Sequence, residues 1–324
     1  MNEVYLPRFP KDIKTWYKTD TTPKKLICDI HKPQIGVNYI NVAKTLKYER
    51  VEYKSFSKII HSKVDMMLQY VREVWANNND TVYEYIIKWL ANMVKGNKNK
   101  SCLYAKASQG VGKSTLIEFL RDHVIGLPLT CKGKTDHLKG QHNLQLLGRV
   151  LVYFEELQIF NEKEWYAIDS ELKDLITDSY ASYTDKYEKR FEAENINNYM
   201  IVTNSALKGV NGRRYLVVDI NPKYLNDFKY YGNLRKQCFN DEVGKAFYCY
   251  LCEIDLNDFN SLDIPDTENK KEIIAELLTP MEMFLKYNYV LRQTGKNSYL
   301  GDLLEKYNTY NIKHGKVSPQ KLSS

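Results

Sequence analysis

Apolar positions recur at helical spacing through residues 81–96, TVYEYIIKWLANMVKG. Val82, Ile86, Trp89 and Met93 share one face, with Tyr85 and Leu90 beside them. The polar NNND at 77–80 precedes this helix, with Asp80 as its expected N-cap and Gly96 as its stop. The period then changes. Short apolar runs follow: SCLYAKA at 101–107, RVLVYFEE at 149–156, NYMIVTN at 198–204 and RYLVVDI at 214–220. Runs this short and this uniformly apolar predict strands buried on both faces, and helical patterns separate the first three. The expected fold is α/β, with a mostly parallel central sheet covered by helices. Residues 255–270, DLNDFNSLDIPDTENK, are acidic and turn-rich and read as a linker. Beyond them PMEMFLKYNYVL and YLGDLLEKYNTY predict helices. The expected division is a basic N-terminal region at 1–78, a core at 79–255, and a linker with a small basic domain at 256–324. No apolar run approaches the roughly 18 residues a membrane span needs, and MNEVYLPRFPKDIK has no apolar stretch of secretory type.

Residues 107–115 read Ala-Ser-Gln-Gly-Val-Gly-Lys-Ser-Thr. The pattern G-x-x-x-x-G-K-[ST] wraps backbone N–H groups around phosphates at a helix N-terminus. Gly112, Lys113 and Ser114 match it, and Ala107 stands where the first glycine belongs. An apolar strand precedes the loop and a helical pattern, LIEFLRDHV, follows it. Ser108, Gln109, Gly110, Val111, Gly112, Lys113, Ser114 and Thr115 are therefore the expected nucleotide-binding residues. Lys113 is expected on the β- and γ-phosphates and the Ser114 hydroxyl on Mg²⁺. A chance glycine-rich turn is the alternative.

The strand Val150–Phe154 ends in Glu155-Glu156. Two unpaired carboxylates at the end of a buried strand would be costly, so a cation or water is expected there. One carboxylate suits Mg²⁺ and the other suits polarising an attacking water. The alternative is that the strand has ended and both face solvent. The strand YMIVTN ends in Thr203-Asn204, whose amide is able to orient water or contact a γ-phosphate; a strand-terminal turn is the plainer reading. Arg213 and Arg214 follow two glycines and read as arginine fingers or as a surface pair.

The ordered set GVGKST, VLVYFEE, YMIVTN and GRRY resembles the core of superfamily 3 helicases, the AAA+ ATPases of the virus-type and phage-type primase–helicase group, including its poxvirus-type members. The segments HLKGQHNLQLLGRVLVYFEEL and SELKDLITDSYASYTDKYEKRFEAENINNYMIVTN resemble the same group, so the likeness covers about residues 80–255 and extends more weakly to 12–60. The resemblance implies a P-loop fold with a helical N-terminal region and a small helical or winged-helix-like C-terminal tail. It implies ATP and Mg²⁺ as cofactors. It assigns Glu155 to Mg²⁺, Glu156 to the base, Asn204 to the sensor, and Arg213 or Arg214 to a finger acting across a ring, usually a hexamer. It places a hairpin that grips single-stranded DNA near Lys186, Lys189 and Arg190, with Tyr183 and Tyr187 beside them; the plain alternative is a solvated charged turn. The stretch before the phosphate loop is too short for a primase catalytic domain, so a primase is expected as a separate partner, if at all. An intracellular site in an infected host is the implied location.

Charge and cysteine usage then add their part. The net charge is +7. Residues 11–63 carry 12 Lys/Arg against 5 Asp/Glu, and residues 286–324 carry 7 against 2, leaving a mildly acidic middle. By itself this favours solvated faces; beside the motifs it favours DNA contact by the flanks. Six cysteines in 324 residues are no disulfide framework, and Cys249 and Cys252 lie in an apolar helical pattern that reads as core. The expected function is an ATP-dependent replicative DNA helicase or translocase. A non-catalytic ring-forming DNA-binding subunit and a P-loop small-molecule kinase are the alternatives.

Overall fold

Five strands, one more than the apolar pattern predicts, lie side by side in the computed structural model of the chain. It describes residues 25–314 apart from 35, 37, 140–141, 158–161, 186–189, 205–212, 269, 272–277, 279 and 292–299. In chain order, β1 (Lys25–Ile27) and β2 (Tyr39–Asn41) form a small parallel pair that the apolar pattern does not predict. Helix α1 (Lys58–Tyr70) continues through a wider π turn at Val71–Trp75, and α2 (Asp80–Val94) follows. Next come β3 (Cys102–Lys106), α3 (Lys113–Phe119), β4 (Thr130–Lys132), β5 (Leu151–Glu155) and α4 (Glu162–Thr177). The antiparallel pair β6 (Tyr180–Tyr183) and β7 (Phe191–Glu194) precedes β8 (Asn198–Thr203) and β9 (Tyr215–Val218). Helices α5 (Phe228–Cys238) and α6 (Asp241–Glu253) complete the packing.

The central sheet has the order β4-β5-β8-β3-β9, and every neighbouring pair is parallel. All of β8 and β9 and nearly all of β3 and β5 are buried, as their uniform apolarity requires. The missed strand β4 is only Thr-Cys-Lys, too short and too polar to show a pattern. One face of the core holds Trp75 and Trp89, both fully buried; truncating either to alanine costs about 3–5 kcal/mol. Helix α2 begins one residue earlier than expected. Asn79 is the N-cap, its side chain accepting from the Val82 N–H at 3.1 Å, while Asp80 is the first helical residue and pairs with Arg72. Gly96 ends the helix with φ +83°, as predicted.

The stretch 255–270 is turn-rich but tied down. Tyr85 donates to the Ser261 carbonyl at 2.6 Å, and the Thr267 hydroxyl donates to Val217 O on the edge strand β9 at 2.6 Å. It covers a sheet edge and is not an open linker. The chain divides into a unit at 1–270 and a second at 271–324. In the second, α7 (Pro280–Leu285) and α8 (Leu300–His314) meet through Phe284, whose ring lies 5.5 Å from Tyr307 and 5.3 Å from Tyr310. All six cysteines are free thiols, and Cys249 and Cys252 are buried in α6. No helix among the described residues is long and apolar enough to cross a membrane.

The N-terminal end of the sheet rests on buried amides. Asn198 Oδ1 accepts from the Asn99 backbone at 2.7 Å and from its side chain at 2.8 Å, while Asn198 Nδ2 reaches Asn97 O at 3.1 Å. Beside it Lys98 donates to Leu175 O at 2.7 Å and Asn197 O at 3.2 Å, and burial pushes its ammonium down to about 7. Between pH 7 and 9 the unfolded chain keeps a proton that folded Lys98 releases, so this group's contribution to stability rises with pH. Urea unfolding at the two pH values is expected to show the wild type gaining on Lys98→Met. An identical pH response of the two proteins would contradict this.

Candidate functional site

Because the five strands are parallel, their C-terminal ends share one edge, where ligands of open α/β sheets bind. Register sets what meets there: Lys106 pairs with Thr203, and Glu155 with Val202. The loop 107–112 leaves β3 at this edge, pinned by the Ala107 N–H on Thr203 O at 3.1 Å. Gly110 and Gly112 take φ of +85° and +84°, which glycine adopts without strain. Ala107 has no positive φ, so this position makes no demand for glycine. Ser108, Gln109 and Gly110 are exposed, whereas Val111 and Thr115 are buried, anchoring the loop beneath.

Lys113 reaches back across the loop. Its ammonium donates to Ala107 O, to Thr203 O at 3.1 Å and to Asn204 Oδ1 at 2.5 Å. Burial lowers its pKa, against a smaller opposing effect of the Glu156 carboxylate. Asn204 then donates from Nδ2 to Glu156 Oε1 at 2.6 Å. Ser114 Oγ donates to Glu155 Oε1 at 3.2 Å, and the other oxygen of Glu155 pairs with Lys132 at the tip of β4. Glu155 is half-buried and Glu156 exposed, so the pair divides between the two environments weighed for it. Glu156 carries φ +55°, unusual outside glycine, and its N–H bonds Val202 O at 3.2 Å. This turn separates the two carboxylates: Glu155 faces Ser114, and Glu156 faces Asn204. A cleft of about 330 Å³ opens beside them, lined by Lys132, Lys134, Thr135, Lys139 and both glutamates. A hydroxyl and a carboxylate in contact are the hard oxygen donors that suit Mg²⁺, so Ser114 and Glu155 fit that ion.

Lys113, Ser114, Glu155, Glu156 and Asn204 therefore converge. Arg213 and Arg214 do not. They precede β9, whose first residue pairs with Cys102 at the opposite edge, about 15 Å of strand away from the loop. Arg213 is exposed; Arg214 is half-buried, and its Nε is buried without a hydrogen-bond partner among the described residues. Lys186, Tyr187 and Lys189 lie outside the described residues. Arg190 is exposed just before β7, but Tyr183 is fully buried and unable to stack on a base. Three lysines of the basic N-terminal flank face carboxylates: Lys32 meets Asp29 at 3.0 Å, Lys54 meets Glu52 at 3.0 Å, and Lys47 meets Asp241. Sequence reasoning missed Lys132, Tyr70, Tyr231 and Asn226, which touch the loop or the acidic pair. Their partners are distant in the chain, and no spacing signals them.

Residues 106–214 match a family of unknown function (DUF5906), a span running from the end of β3 to Arg214. The chain is 22% identical over 256 residues to the DNA primase-polymerase of Nitratiruptor phage NrS-1, covering 78% of this chain and 34% of that protein. It thus spans about a third of that relative's length. Two apo structures of the NrS-1 C-terminal region, one of them described as residues 305–718, superpose with TM-scores of 0.62 and 0.61 at 19% and 18% identity. Each comparison covers 95% of this chain and 81% of the other. The α/β fold with its mostly parallel sheet is shared with that C-terminal region.

Replacing Ala107 with glycine tests the loop. Since Ala107 takes no positive φ, Ala107→Gly is expected to lower stability by about 0.4–1 kcal/mol in urea unfolding. A gain in stability on the same substitution would mean the alanine does strain the loop.

Proposed function

We propose that this chain is an ATP-dependent DNA helicase or translocase of a phage-type replication system, working as a ring on single-stranded DNA. The observation that carries the reading is the Asn204 amide, which accepts from Lys113 and donates to Glu156. One side chain thereby links the end of a phosphate-loop lysine to a carboxylate suited to activating water. Such a link has a clear use in an enzyme that hydrolyses a triphosphate and senses its terminal phosphate. That a relative is a DNA primase-polymerase of a phage supports the replication context.

In this reading the loop 108–115 binds the phosphates of ATP. Ser114 and Glu155 hold Mg²⁺, which supplies neutralisation of phosphate charge when bound. Glu156, exposed and oriented by Asn204, takes the proton of the attacking water. Arg213 and Arg214 cannot serve the site of their own chain across the sheet, so they act on a neighbour's nucleotide in a ring. Of the two, exposed Arg213 has the freer reach. The connection between β6 and β7, with Lys186, Lys189 and Arg190, contacts the DNA backbone. A primase activity, where needed, comes from another domain or partner.

ATP hydrolysis measured with and without single-stranded DNA tests this. Wild type is expected to be stimulated by DNA. Lys113→Ala is expected to lose nucleotide binding. Glu156→Gln is expected to keep binding and to lose about 10²–10⁴-fold in kcat. Hydrolysis that ignores DNA and survives both substitutions would refute the reading.

A further inference from the structure

Three successive carbonyls of the phosphate loop are each held from outside it. The Asn226 N–H donates to Gly110 O at 3.1 Å, the Tyr231 hydroxyl to Val111 O at 2.9 Å, and the Tyr70 hydroxyl to Gly112 O at 2.7 Å. A trans peptide is planar, with its C=O and the following N–H pointing in opposite directions. Holding the carbonyls of residues 110, 111 and 112 outward therefore turns the N–H groups of Val111, Gly112 and Lys113 the other way, into the loop's concave side. Convergent N–H groups of this kind make an anion site. We propose that Tyr231 and Tyr70 are positioning residues that aim these three N–H groups at the polyphosphate of a bound nucleotide. The proposal rests on the nucleotide reading above and deepens it.

The braces are themselves fixed. Tyr70 is fully buried at the end of α1, and its hydroxyl accepts from Trp75 Nε1 at 3.0 Å while donating to Gly112. A hydrogen-bond chain thus runs from the indole to the loop, each bond polarising the next. Tyr231 stands in the first turn of α5, which Asp227 caps by accepting from the Tyr230 N–H at 2.8 Å. The segment before it is tied to α1 and its π turn: Asn221 N–H bonds Val74 O at 2.9 Å, and Glu73 accepts from Tyr224 at 2.6 Å and Lys223 at 2.9 Å. Burial would raise the Glu73 pKa, but the hydrogen bonds from Tyr224, Lys223 and Gln69 hold it below the usual carboxylate range. Both glycines fit the same picture. A Cβ at Gly112 would run into the Tyr231 hydroxyl, and one at Gly110 into the Asn226 side chain. The loop is packed directly against its braces, leaving no room for a side chain.

The full chain is titrated by calorimetry with Mg·ADP and, separately, with inorganic pyrophosphate. Tyr231→Phe removes only a hydroxyl from a half-buried ring. It is expected to weaken both ligands by the same factor, about fivefold, as expected for one hydrogen bond of about 1 kcal/mol. Its unfolding midpoint should move by no more than a few degrees. In the free protein the peptide covering 108–115 should exchange its amide hydrogens faster than wild type, because the loop has lost a restraint. Tyr70→Phe should act in the same direction; because it also orphans the Trp75 N–H, the Tyr231 variant decides the matter. If wild type binds both ligands and Tyr231→Phe binds within twofold of it, the brace is wrong and the nucleotide site stands. If only Mg·ADP weakens and pyrophosphate does not, Tyr231 touches the nucleoside and the brace is again wrong. If wild type binds neither ligand, the nucleotide reading fails and takes the brace with it.

Discussion

The parallel ladder joining β3, β8 and β5 is the constraint on which the site depends. A slip of one residue in any of these strands would turn its side chains to the opposite face. It would also part Asn204 from Lys113 and Glu156. The register is secured at the far end of the sheet, where Asn198 is fully buried and its amide is bonded to Asn99, Asn97 and Val150. Unsatisfied, that amide would be expensive, so the one register that satisfies it is strongly preferred. Polar groups at the base of the sheet thus decide which polar groups meet at its top.

Charge at the top is matched locally. Glu155 lies between a hydroxyl and the Lys132 ammonium, and Glu156 is exposed and hydrogen-bonded by an amide. Lys113 is held by two backbone carbonyls and one amide oxygen. None of these groups is buried without a partner, which is how six ionisable or polar side chains coexist at the end of an apolar sheet. The arrangement also puts Lys132 in competition with any cation for Glu155. The basic N-terminal flank is similarly less available than its count suggests, since Lys32, Lys47 and Lys54 already face carboxylates.

The four apolar runs were legible because a strand buried on both faces tolerates almost no polar residue. Cys102–Lys106, Leu151–Glu155, Asn198–Thr203 and Tyr215–Val218 lie inside the predicted segments. Strand β4 was not legible, because three residues at a sheet edge need little apolar character. The N-cap at Asn79 instead of Asp80 was a choice between neighbouring residues that cap equally well; the Arg72 partner of Asp80 lies outside the local pattern. Tyr183 illustrates the opposite error. Its place in a charged segment suggested exposure, yet at the end of β6 it is fully buried.

By itself the sequence determined the kinds of chemistry present and their order: a glycine loop with lysine and serine, two glutamates after a strand, an asparagine after another. These are local patterns, set by backbone preference and burial over a few residues. The tertiary structure decided which of them meet. It joined Lys113 to Glu156 through Asn204, gave Lys132 to Glu155, and set Tyr70 and Tyr231 against the loop from positions 42 and 120 residues away. It also sent Arg213 and Arg214 to the opposite edge of the sheet. The reason is geometric. A parallel strand carries its two ends to opposite edges, and which strands become neighbours depends on crossovers that no short window of sequence contains.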